Sequence, residues 1–131
     1  MAQLKEVVAV LNLDYRCMES AQEISKIGDS NLENNLRKAL GVLQEDGVYA
    51  MFLWLEDKDK TNRIRKKLTK LLNEEEIRKY LLNNSNNFPE DFTDFCIKLR
   101  EVAQDIDRLL FMKKLLERTL TYALYHSKNK K

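Results

Sequence analysis

The chain has 131 residues, of which 34% are charged and 44% apolar, and a formal net charge of +2. That length supports one hydrophobic core and not two. Three glycines and one proline are too few breakers for a turn-rich β architecture.

The two cysteines, Cys17 and Cys96, cannot build a disulfide framework and form no CxxC or Cys/His zinc spacing. Both read as small core hydrophobes. No basic leader with a long apolar run opens the chain. Its longest apolar run, Val48 to Leu55, is too short to span a bilayer. The expected setting is a reducing cytoplasm, with no membrane partner.

In chain order, Leu4, Val7, Val8, Leu11, Tyr15, Met18, Ala21, Ile24 and Ile27 follow a helical stripe. It predicts a first helix over about Gln3 to Lys26, ended by Gly28 as a left-handed cap. Asp29 or Ser30 can cap a second helix carrying Leu32, Leu36, Leu40 and Leu43, which Gly47 ends. A short third helix, Val48 to Leu55, is apolar on all sides and is expected to be buried all round. Thr61 or Asn62 caps a fourth helix with Ile64, Leu68, Leu71 and Leu72 inward. Asn73 with Glu76 resembles a capping box. It opens a fifth helix, about Glu74 to Leu82, burying Ile77, Tyr80 and Leu81. Asn83 to Asn87 reads as a polar loop.

Pro89 suits a first helical turn. From Phe92 to Leu124 one apolar stripe runs without a breaker. It is either one helix of roughly 38 residues, about 55 Å long at 1.5 Å per residue, or two helices bent near Asp105–Asp107. The fold expected is an all-α, single-domain helical bundle of about five to six helices with a long C-terminal helix. The domain spans residues 1–126, and 127–131 form a disordered basic tail.

The residues offer little chemistry. His126, the sole histidine, sits beside the tail, where a helix-terminal role accounts for it. No serine lies in a GxSxG context, and no GxGxxG or GxxxxGK[ST] loop occurs. Glu74, Glu75 and Glu76 fit a first helical turn, Asp105 and Asp107 do not share a face, and Glu19 with Glu23 lack a third ligand. No catalytic residue, metal site, cofactor or small-molecule substrate is expected, so the chain reads as a binder and not an enzyme. Most aromatics, including Tyr49, Phe52 and Trp54, read as core. Tyr122 and Tyr125 are the candidates for stacking on unpaired bases.

Charge distribution says more than net charge. Lys58 to Lys70 holds seven Lys/Arg and one acid, Asp59; Arg108 to Lys131 holds seven and one acid, Glu117. Both stand on an otherwise acidic chain, the pattern of a surface facing a polyanion. Arg63, Lys66, Lys67 and Lys70 recur at helical spacing as one ridge, flanked by Lys58 and Lys60. Lys113, Lys114 and Arg118 form a second ridge. Such ridges are also commonly plain solvated faces. Without a groove-reading motif, any nucleic-acid contact should be to phosphates, sequence-neutral and salt-sensitive.

The stretch Leu36 to Lys58 has the most distinctive text: Leu43-Gln44-Glu45-Asp46-Gly47-Val48, then the apolar Ala50 to Leu55, then Lys58. It resembles the small helical subunit of the type III-B (Cmr) CRISPR–Cas effector complex. Leu116 to Tyr125 is similar to that family's closing helix. The small subunit of the related Csm-type complex is similar in size and helicity, and the choice between the two stays open. The resemblance implies a non-catalytic structural subunit. Copies of it would stack head-to-tail beside neighbouring effector-complex subunits and hold a guide RNA–target RNA duplex by its phosphates, in antiviral defence. Lys58, Lys60, Arg63, Lys66, Lys67, Lys70, Lys113, Lys114 and Arg118 are the RNA-binding candidates. The alternative is a helical protein–protein adaptor that binds no nucleic acid; a metal-assisted nuclease is a more remote third.

Overall fold

A computed structural model describes residues 2–59, 62–83 and 86–129, with side chains from Leu13 onward. Lys60 and Thr61 lie outside the described residues. Seven helices follow one another: α1 (Ala2–Ser25), α2 (Leu32–Asp46), α3 (Val48–Lys58), α4 (Arg63–Leu72), α5 (Glu75–Leu82), α6 (Phe92–Ala103) and α7 (Ile106–Asn129). There is no strand among the described residues. The chain is an all-α bundle with a long C-terminal helix. The helix count exceeds the expected five to six because the C-terminal stripe is broken in two.

That break has a local cause. Gln104 caps the end of α6, and the Asp105 side chain turns back as the start of α7. Its Oδ1 accepts from the Asp107 N–H at 2.9 Å and the Arg108 N–H at 3.3 Å. An acid that satisfies the orphan N–H groups of a first turn stabilises a new start over continuation. At its other end α7 stays helical to Asn129, three residues into the segment expected to be disordered; Lys130 and Lys131 lie outside the described residues.

α7 is the axis of the bundle. It packs chiefly against α1 and α2, while α2 also packs on α3 and α1 on α4. Its buried stripe is Met112, Leu115, Leu116, Thr119, Leu120, Ala123 and Leu124. Ala21 and Ala123 are fully buried small residues that let neighbouring backbones approach. On the α1–α7 seam the Leu115 carbonyl accepts from both Thr119 Oγ1 (2.9 Å) and Cys17 Sγ (3.7 Å). Cys17 is buried and Cys96 only half-buried. Burial pushes the thiol pKa of both upward.

Aromatic rings close the other end. Phe95 meets Phe52 edge-on at 4.8 Å and lies 5.8 Å from Phe88 and 6.4 Å from Phe92.

Several expectations are corrected. α3 is not buried all round: Met51, Phe52 and Leu55 are buried, but Tyr49 and Leu53 are exposed and Trp54 is half-buried. α2, α4 and α7 cover only part of a helix that is apolar from Val48 to Leu55. Tyr80 is also exposed, because it lies over Phe111 at 5.0 Å instead of inside the core. Pro89 precedes α6 and does not enter it; the cap is Asp91, which accepts from the Asp94 N–H. Asn31, not Asp29 or Ser30, holds the N-cap position of α2. Asn73 makes no capping box. Its amide instead clamps Phe88 from both sides, donating to the Phe88 carbonyl (3.0 Å) and accepting from the Phe88 N–H (2.7 Å).

Gly47 is the joint between α2 and α3, at φ 100 and ψ −177. That region is open essentially to glycine alone, and a side chain there costs about 1–3 kcal/mol. A Cβ would meet nothing within 4 Å, so only the backbone resists. Gly47→Ala is therefore expected to destabilise by about 1–3 kcal/mol in urea unfolding. An unchanged midpoint would show that the joint relaxes freely.

Candidate nucleic-acid interface

α4 is placed by its inner face. Ile64, Leu68, Leu71 and Leu72 are buried. Its start is held by Asp59, a buried carboxylate whose Oδ2 accepts from the Ile64 N–H at 2.7 Å. Asn62 occupies the cap position with φ 54 but makes no side-chain cap. The one acid of this basic segment is thus spent on the helix terminus, where negative charge is favoured.

Arg65 is spent too. It is 5% exposed, with its Nε 3.3 Å from Glu56 Oε2 and its guanidinium 5.3 Å from the Phe92 ring and 5.5 Å from the Phe95 ring. It ties α3 and α4 to α6. It is one of the seven cations counted in this segment and not one of the ridge residues, in keeping with its place beside Leu68 and Leu72 on the inner face.

What remains outside is Arg63, Lys66 and Lys70. All three are exposed and fall within an arc of about 60° at about 100° per residue. None has a carboxylate within 4.0 Å among the described residues. Lys38, Arg100, Lys114 and Lys128 also lack one there, but the first two are each alone on their helix and the last two stand fourteen positions apart on α7. Lys67 leans the other way, half-buried against α1, with its Nζ 3.9 Å from Glu23 Oε2. Lys58 is exposed and 3.4 Å from Asp57.

The second ridge is mostly neutralised. Lys113 lies 4.0 Å from Glu117, and Arg118 lies 3.3 Å from Asp14. Only Lys114 is exposed without such a partner among the described residues. Asp14 and Glu23 are nine positions apart on α1, which is two and a half turns, so they point to opposite sides. α1 therefore separates the two ridges and supplies an acid to each. The structure does not merge them into one surface.

The stacking candidates also divide. Tyr122 is half-buried and donates its hydroxyl to Asp14 Oδ1 at 2.7 Å. Tyr125 is exposed, with Lys128 Nζ 5.7 Å from its ring. Donation to Asp14 pushes the Tyr122 hydroxyl pKa up. Stability from this contact is fully present below the ordinary tyrosine value near 10 and is lost as pH rises through the raised folded value. Tyr122→Phe is expected to cost about 1 kcal/mol at pH 8 and to flatten the alkaline limb of stability against pH. An alkaline limb identical to that of the parent protein would remove the linkage.

Flanking α4 on the side away from α1 is a cleft of about 390 Å³ between the helix and the Phe88–Glu90 segment. Lys66 and Lys70 stand at its edge and Thr69 lies in its wall. The Thr69 hydroxyl is buried and has no hydrogen-bond partner among the described residues, a state that typically costs about 1–3 kcal/mol. Sequence reasoning missed this cleft, because its far wall depends on the Asn73–Phe88 clamp across fifteen positions.

No group of three or more His, Cys, Asp or Glu that could hold a metal occurs among the described residues. No helix there is long and apolar enough to cross a membrane. A comparison of the chain with family models, with curated proteins and with solved structures finds no match.

Proposed function

We propose that this chain is a non-catalytic RNA-binding subunit that holds phosphates on the exposed face of α4. The observation that carries the reading is the grouping of Arg63, Lys66 and Lys70 on one face without carboxylate partners among the described residues. Three uncompensated cations on one helix face attract a polyanion, and they offer no means of reading bases in a groove.

The resemblance of Leu36 to Lys58 to the small subunit of type III CRISPR–Cas complexes supports the finer reading. In it, the protein works in the cytoplasm inside an antiviral ribonucleoprotein, beside other subunits and further copies of itself. Its ligand there is the guide RNA–target RNA duplex, and cleavage belongs to other subunits.

Filter binding of RNA to the purified chain across salt concentrations tests the reading. Three phosphate contacts give a log–log slope of about −2.7, so affinity should fall about 40-fold between roughly 50 and 200 mM salt. Absence of RNA retention at low salt, or retention indifferent to salt, would overturn it and favour a protein–protein adaptor.

A further inference from the structure

We infer that the cleft between α4 and the Phe88–Glu90 segment receives one unpaired nucleotide, with Lys66 and Lys70 on its phosphate and its base inside. The inference rests on the α4 reading and narrows it from RNA phosphate in general to a strand that can turn out a base.

Size comes first. The cleft measures about 390 Å³, within the roughly 300–1,000 Å³ typical of small-molecule sites. Its exposed lining is more apolar than polar by area, although Phe88 is the one apolar residue among Arg65, Lys66, Thr69, Lys70, Asn73 and Glu90. Two exposed lysines four residues apart stand on one side, and the exposed Glu90 stands opposite. A bare anion gains from the lysines and loses to Glu90. A nucleotide can use both, placing its phosphate on the lysines and an amino edge of the base toward the carboxylate.

The cleft is also preformed. The paired hydrogen bonds between Asn73 and the Phe88 backbone fix the far wall against the end of α4. Phe88 in turn is packed 5.8 Å from Phe95 in the core. A wall held this way does not have to be ordered by the ligand. Thr69 lines the same cleft, and its hydroxyl, buried and unpartnered among the described residues, would have to turn outward to meet a ligand there.

Two other clefts differ. The one between α1 and α4 also takes in Lys70 and the buried Ser20 hydroxyl, unpartnered among the described residues, but its Arg16, Glu23 and Lys67 already form ion pairs across it. The one beside the start of α5 is edged by Glu74, Glu75 and Glu76, which repel phosphate. A base inside a duplex cannot enter a side cleft, whereas an unstacked base can.

Isotope-edited NMR of the full chain distinguishes the possibilities, using adenosine 5′-monophosphate, ribose 5-phosphate and a blunt RNA duplex as separate probes. The nucleotide should shift the amides of Thr69, Asn73, Phe88 and Glu90 together with those of Lys66 and Lys70. It should bind at least about fivefold tighter than ribose 5-phosphate, since a buried base adds stacking and apolar contact. Lys66→Gln with Lys70→Gln should weaken it by about tenfold or more. If the nucleotide binds no tighter than ribose 5-phosphate and leaves Phe88 and Glu90 unmoved, the inference fails. In that case duplex-induced shifts at Arg63, Lys66 and Lys70 would leave the phosphate reading standing, and their absence would remove both. Nucleotide in the cleft without any duplex binding would uphold the inference and discard the duplex as ligand.

Discussion

Reversing three charges together, Arg63→Glu, Lys66→Glu and Lys70→Glu, should lower RNA affinity by about 10²–10³-fold near 0.1 M salt and leave little salt dependence. The magnitude follows from counterion release: each lost phosphate contact takes about one unit from the log–log slope. The fold should survive, because these side chains make no ion pair or hydrogen bond among the described residues. Melting curves should stay within a few degrees of the parent protein. Lys67 is left out of this set on purpose. A glutamate there would face Glu23 and confuse lost binding with lost stability. The comparison is Lys114→Glu, the one unpaired cation of the α7 ridge among the described residues, expected to cost less than about tenfold. If Lys114→Glu is as damaging as the triple change, α7 is the contact and the assignment to α4 is wrong.

Phe95→Ala should be the most damaging single substitution for the fold, at about 3–5 kcal/mol. Phe95 is fully buried, and three other rings and one guanidinium pack around it. Removing it leaves a cavity where α3, α4, α6 and the Phe88 segment meet, and it takes the packing surface from Arg65. Natural domains are stable by only about 5–15 kcal/mol, so the variant would lose a large share of its margin. Urea unfolding should show the loss directly, with the half-buried Phe92→Ala costing clearly less. A loss below about 1 kcal/mol would mean the site collapses around the gap, and Phe95 would not hold the four-way junction together.

Much of the fold was legible in the sequence, and the reasons are specific. Apolar residues at helical spacing located α1, α2 and α4 within a few residues. Gly47 marked the real end of α2, whereas Gly28, also at positive φ, lies three residues beyond the end of α1 at Ser25. The C-terminal stripe could not say whether it was one helix or two. Its apolar period runs on through a break decided by one side chain, Asp105, folding back on two N–H groups.

The site was legible only in outline. Charge clustering located both ridges. The local pairs Lys58–Asp57 and Lys113–Glu117 were within its reach, but it could not find the acids on Lys67 and Arg118, which come from far along the chain. Asp14 meets Arg118 and Glu23 meets Lys67 only after α1 has docked between α4 and α7. The Asn73 misreading has the same origin. A side chain suited to a local cap was taken by a partner fifteen positions away.

The interposed α1 also sets the valence of the molecule. With Lys113 and Arg118 neutralised, the one grouped run of free cations among the described residues is Arg63 to Lys70, seven steps or about 10 Å. At about 3.4 Å per nucleotide along a strand, that is a footprint of about three nucleotides. If α4 holds RNA as proposed, so short a footprint would make one copy a weak, quickly exchanging binder. Firm retention would then depend on the number of copies held along the same strand, each bound copy raising the effective concentration of the strand for the next.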